Sequence, residues 1–253
     1  MNSTNIANEI YMAGDAIKLS TNEGIVLIGP GLSKQRNTTL SKSDNNIQEY
    51  KNVICVSRSG RILASENNKN SSKSIRLEFM TKRYIPLIDD YVVGIVNGRI
   101  SEYYTVDINS KSLAYLPQLA FEGVTNRNRP NLLPGDLLFC KVRRAYPDAH
   151  PEITCVDEKT GKACGMGTIG NGGILLRVSP YYSRKLSTEK AYLFNIIGKE
   201  VEFESAIGVN GRIWIKAGDD RQSVAIYRLL REFEHKSSDL KQSKQRLIDY
   251  LIA

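Results

Sequence analysis

The chain has 253 residues, enough for two or three domains of ordinary size. Its 41% hydrophobic and 8% aromatic content excludes a disordered or fibrous protein, and no apolar run is long enough to span a bilayer. Lys and Arg number 35 against 27 Asp and Glu, a net +8 that suits a polyanionic partner without identifying one.

Residues 1–83 form the first domain, a set of short strands separated by polar punctuation. The run Gly24–Ile28 ends at Gly29-Pro30-Gly31, a turn signal in which Pro fixes φ and Gly admits positive φ. Ser33–Asn46 is nearly free of apolar residues and reads as a surface loop. Strands Asn52–Ser57 and Arg61–Ser65 flank Arg58-Ser59-Gly60, a hairpin signal. Glu66–Ser74 reads as a second polar loop before a strand over Ile75–Met80. This domain is too small and loop-rich to bury much core by itself.

Residues 84–156 form the second domain, with five strands: Tyr91–Ile100, Tyr103–Ile108, Ser112–Leu116, Asp136–Arg143 and Glu152–Val156. Tyr104, Val106 and Ile108 alternate with Tyr103, Thr105 and Asp107, the period of a half-buried strand. Gly94 and Gly98 interrupt the first strand, as glycines do where a strand bends around a small barrel. Five strands in about 70 residues is the count of an OB-type barrel, a frequent oligonucleotide binder.

Residues 157–253 form the third, mixed α/β domain. A strand over Ile174–Val178 precedes Pro180, which suits the first turn of a helix; Ala191–Ile197 is a second short helix. Strands Glu200–Ile207 and Arg212–Ala217 are joined by Gly208-Val209-Asn210-Gly211, where Asn-Gly signals a type I′ hairpin. Asp219 or Asp220 caps a helix that aligns Ile226, Leu229, Leu230 and Phe233 on one face, and a last helix is expected over Ser238–Ile252. The order β-α-α-β-β-α is that of a KH module. The fold class is therefore multi-domain and mainly β, with an α/β C-terminal part.

Little here supports catalysis. There is no Gly-x-Ser-x-Gly elbow, no His-Glu-x-x-His and no Walker lysine, and Gly161–Gly167 reads as a glycine-rich linker. Asp89-Asp90 and Asp219-Asp220 are adjacent pairs, which cap and strand-end roles account for. Cys55, Cys140, Cys155 and Cys164 form no Cys-x-x-Cys pair, and His150 and His235 lie far apart; no metal or other cofactor is expected, and the thiols read as reduced. The N-terminus lacks a basic patch before an apolar core, so no secretory leader is expected.

Nucleic-acid binding has better candidates. Asn126-Arg127-Asn128-Arg129 is a basic polar loop between barrel strands, with Lys141, Arg143 and Arg144 on the next strand and its exit. A single strand needs cations for its phosphates and aromatic faces for its bases; Tyr103, Tyr104, Tyr115 and Phe121 are the candidates, at least two of which the core requires. The segment 84–155 carries 7 basic and 8 acidic residues, net −1, so any grip on RNA must be local. In the KH module the backbone clamp belongs after Arg184-Lys185-Leu186, where Ser187-Thr188-Glu189-Lys190 has no glycine; the module reads as a packing surface.

Lys82–Pro86, the run Ala120–Leu138, Gly165-Met166-Gly167 and Ala206–Lys216, in that order, resemble the S1/KH cap subunits of the eukaryotic RNA exosome. The resemblance implies an N-terminal β domain, an S1 (OB-fold) barrel and an atypical KH domain. It implies a non-enzymatic subunit seated on a ring of RNase PH-like subunits, helping to line a channel through which single-stranded RNA reaches a nuclease elsewhere. Expected partners are those ring subunits, other exosome subunits and RNA, with no membrane; expected residence is nucleus, nucleolus and cytoplasm. It places Asn126, Arg127, Asn128 and Arg129 near RNA, and gives Gly208, Asn210, Gly211 and the following Trp214 a structural role at the S1–KH interface. Asn126 stands where relatives often carry Lys, which weakens the expected grip. The alternative is a purely structural clamp that never touches RNA.

Overall fold

In the computed structural model the described residues are 9–18, 26–29, 31–34, 53–67, 72–125, 127–146, 148–188, 191–235 and 250. The chain divides into two compact units, Met1–Met80 and Thr81–Ala253.

The described residues of the first unit form two sheets. Strands β1 (Ile10–Tyr11), β3 (Val26–Ile28), β6 (Gly60–Asn67) and β7 (Ser72–Glu78) form one, in the order β1-β6-β7-β3; β2 (Ala16–Lys18), β4 (Leu32–Lys34) and β5 (Val53–Val56) form the other, with β5 central. Ile17, Ile54, Val56, Ile62, Ile75 and Leu77 are its buried core. Arg58-Ser59-Gly60 is not a hairpin: it carries the chain from β5 in one sheet to β6 in the other. The hairpin lies one step later, between β6 and β7, and the expected loop Glu66–Ser74 is largely strand, pairing from Arg61↔Glu78 to Asn67↔Ser72. Apolar alternation is hidden there because Glu66, Asn67, Ser72 and Lys73 have little of it to show. Of the expected loop Ser33–Asn46, Ser33 and Lys34 belong to β4 and the rest lies outside the described residues.

The second unit begins with a closed barrel. Strands β8 (Tyr91–Ile100), β9 (Tyr103–Asp107), β10 (Ala114–Pro117), β11 (Leu137–Arg144) and β12 (Glu152–Thr154) close through β12, which pairs with both β10 and β11. The glycines of β8 do what bending requires. A Cβ at Gly94 would stand 2.3 Å from Val106 Cγ1, and the β8–β9 register shifts between Val96 and Gly98, a bulge that turns the strand. Tyr104, Val106 and Ile108 point into the barrel core, together with Leu116, Leu138 and Ile153. A sixth strand, β13 (Gly167–Thr168), pairs along β11; the sequence reads only as linker there because two residues carry no periodicity.

The chain then enters β14 (Ile174–Arg177), helices α1 (Pro180–Thr188) and α2 (Ala191–Glu200), strands β15 (Phe203–Gly208) and β16 (Arg212–Ala217), and helix α3 (Asp220–His235). The three strands form an antiparallel sheet ordered β14-β16-β15, whose core joins Leu176, Ile213 and Ile215 to Leu186, Ile197, Ile226, Leu229 and Leu230 of the helices. Ser179 caps α1, its hydroxyl accepting the Tyr182 amide at 3.3 Å, and Pro180 opens the first turn. The last expected helix lies outside the described residues except Tyr250, which packs against this core.

Candidate nucleic-acid interface

The loop between β15 and β16 determines how the barrel and the α/β module meet. Gly208 pairs with Arg212, leaving three loop residues rather than two. Gly211 has φ +83, while Asn210 is not in the left-handed region, so the expected type I′ turn is replaced by a three-residue loop with one left-handed glycine. The longer loop pushes Asn210 into the barrel wall. Its side chain, fully buried, donates to Val93 O (2.9 Å) and Ile108 O (3.0 Å) and accepts from Val93 N–H (3.2 Å); its own carbonyl accepts from Asn109 Nδ2 at 3.0 Å. Val209 N–H donates to Tyr91 O at 2.9 Å. A Cβ at Gly208 would stand 2.5 Å from Val93 N, so only glycine lets the loop approach so closely.

Two ion pairs flank this contact. Asp90 accepts both Arg184 nitrogens of α1, at 3.3 and 2.9 Å, and the Tyr84 hydroxyl at 2.6 Å. Burial, then the Asp90 charge, push the Tyr84 hydroxyl far above its ordinary range, so it stays a neutral donor. Arg212, 5% exposed in its side chain, pairs with Asp107 at 2.6 Å. Partial burial works against the Asp107 charge, but the Asn109 amide and Arg212 outweigh it and hold the carboxyl below its usual value. The sequence assigns Asp90 only a strand-end role and Asp107 only a place in an alternating strand, because their partners lie 94 and 105 residues away. The Trp214 indole donates to Gly172 O at 3.0 Å, anchoring the approach to β14.

The cationic candidates separate sharply. Asn126 lies outside the described residues. Arg127 and Asn128 are exposed on a tight turn bridged by Thr125 and Asn128, and Arg127 has no ion-pair partner among the described residues. Arg129 donates to Gln118 Oε1 at 3.0 Å; Gln118, 1% exposed, in turn donates to Ser101 O at 2.8 Å. The Tyr104 hydroxyl donates to Pro130 O. These bonds moor the cationic turn to the start of β9. Lys141 is 2.7 Å from Asp89 and lies over the Tyr91 ring; the Asp89 hydrogen bond raises its pKa. Arg143 bridges Glu158 (2.5 Å) and Glu152 (3.2 Å), with its pKa raised first by Glu158. Both are already committed to carboxylates.

The aromatic candidates divide in two. Tyr104 is core and Phe121 packs against it. Tyr103 is 43% exposed with its ring centroid 5.9 Å from that of Tyr115, which stands 4.7 Å from His150. His150 Nδ1 lies 3.0 Å from Leu113 O. Tyr103 is opposite Pro117, one residue before the Gln118 that holds Arg129, so an aromatic strip adjoins the cationic turn. In the sequence His150 is weighed only as a metal ligand and set aside; its place beside Tyr115 follows from the barrel pairing Tyr115↔Glu152.

Comparison with known proteins agrees with this architecture. Residues 84–167 match the family model described as exosome complex component RRP40, S1 domain, and residues 173–221 match that of a KH domain. The chain is 34% identical to exosome complex component rrp40 of Schizosaccharomyces pombe over 90% of each chain, and 35% identical to RRP40 of Homo sapiens over 75% of this chain and 69% of that one. A solved structure described as a proposed exosome complex RNA-binding protein shares the fold, with TM-score 0.54 and 20% identity over 66% of this chain and 95% of the other. With an S1 barrel and a KH module joined through Asn210, this chain belongs to the RRP40 family of exosome complex components.

Proposed function

We propose that the chain is a non-catalytic subunit of an RNA exosome that guides single-stranded RNA toward a 3′–5′ exoribonuclease carried by another subunit, in rRNA processing and RNA degradation. Its partners on this reading are RNase PH-like ring subunits and other exosome subunits, and it works in the nucleus, nucleolus and cytoplasm. Family membership supports the assembly; the RNA contact rests on one observation, the exposed Arg127, without an ion-pair partner among the described residues, on the turn whose Arg129 is held by Gln118 next to the Tyr103–Tyr115–His150 strip. A guanidinium free of carboxylates can take a phosphate, and the rings can stack bases. Lys141 and Arg143 contribute field rather than direct contact.

A purely structural clamp is favoured by a different observation: four of the five barrel cations considered already have partners, Arg144 standing 3.5 Å from Glu152. Fluorescence anisotropy of the assembled complex with oligouridine separates the two. With one phosphate contact removed, Arg127→Ala should weaken binding several-fold and lower the log–log salt slope by about one. Binding and slope both unchanged would leave only the clamp.

A further inference from the structure

Helix α3 has a face that the RNA reading does not use. Ala225, Ile226, Leu229, Leu230 and Phe233 are buried, while Arg221, Arg228 and Arg231 are exposed on the other side, with Val224 between them at 38% exposure. At 1.5 Å per residue the three arginines span about 15 Å of axis, and steps of seven and three keep them on one ridge. The helix's later carboxylates are occupied: Glu234 Oε1 accepts the Ser179 amide at 2.7 Å, and Glu232 Oε2 accepts the Tyr250 hydroxyl at 3.2 Å. Asp219 and Asp220 stand at the helix start, facing the positive end of its dipole. Among the described residues no carboxylate pairs with the three arginines; Arg231 Nη1 donates to the Tyr227 hydroxyl at 2.9 Å on the same helix.

We propose that this ridge docks an acidic helical segment of another protein, with carboxylates on the guanidinium forks and an apolar side chain against Val224. Guanidinium groups take phosphate and carboxylate alike. Single-stranded nucleic acid, however, also needs aromatic faces for its bases, and Tyr227, the aromatic bonded to the ridge through Arg231, packs on the core. Val224 instead offers a small apolar contact of the kind a helix surface makes. The chain's own C-terminal segment is a poor complement, because residues 236–253 carry four basic and two acidic side chains.

The test uses the full chain and three labelled probes followed by anisotropy: a helical peptide with glutamates at i, i+3, i+7 and i+10 around one leucine, its glutamine counterpart, and oligouridine. The glutamate peptide should bind in preference to the glutamine one, and Arg221→Gln/Arg228→Gln/Arg231→Gln should weaken it about tenfold, as three exposed ion pairs allow. Circular dichroism should show α3 intact, and Val224→Glu, which keeps every arginine, should also weaken the peptide. Equal binding of the two peptides, or glutamate-peptide binding untouched by the triple substitution, overturns the proposal. Loss of oligouridine rather than peptide would assign the ridge to RNA and also overturn it. Arg127→Ala should leave the peptide unaffected, so a failure of the RNA reading at the barrel is distinguishable from a failure here.

Discussion

Asn210 satisfies three backbone groups of the barrel with one side chain. Truncation leaves Val93 N–H, Val93 O and Ile108 O buried without partners, at about 1–3 kcal/mol each. Asn210→Ala should therefore cost about 3 kcal/mol or more in urea unfolding, far beyond an ordinary surface substitution. Asp107 makes a pH-dependent contribution. Its folded pKa is lowered, so its stabilisation is present at neutral pH and is lost as pH falls below the ordinary value of 3.8. Asp107→Asn should lower stability at neutral pH and flatten the acid limb of the stability–pH curve; an unchanged limb would show that Arg212 draws nothing from the charge. At this scale the sequence was only partly legible. Asn210-Gly211 announced a turn, and Arg127 stood out as basic and polar, but nothing local could tell that Lys141 and Arg143 would meet Asp89 and Glu158 across strands and a loop.

Elements were easier to read where one physical pattern repeats. The alternation of β9, the apolar stripe of α3 and the β-α-α-β-β-α order were all visible, because period and order survive without knowledge of neighbours. Pairing was less visible. The β5–β6 segment has hairpin chemistry, yet Arg58-Ser59-Gly60 connects two sheets, a choice made by which faces bury Ile54 and Ile62. The loop at Gly208–Arg212 shows the same limit: Asn-Gly suits a two-residue turn, but burial of Asn210 against β8 selects the three-residue form.

The whole chain has fewer independent parts than its three motif sets suggest. The barrel and the α/β module form one compact unit, Thr81–Ala253, held by Asn210, Asp90–Arg184 and Asp107–Arg212. Hydrogen exchange should show β8 and β16 opening together with a common free energy, while β6 and β7 of the other unit open independently. Asn210→Ala should uncouple β8 from β16; separate opening in the unaltered protein would contradict this coupling.

The β8–β9 ladder ends at Ile95↔Asp107, and Asn210 occupies the gap beyond it, between Val93 and Ile108. One side-chain amide thus stands in for a missing length of strand, so the wall of the barrel is finished by a part of the chain more than a hundred positions downstream. An excised barrel would carry an open slot at that place. Grafting this barrel onto another chain would therefore require the plug to travel with it.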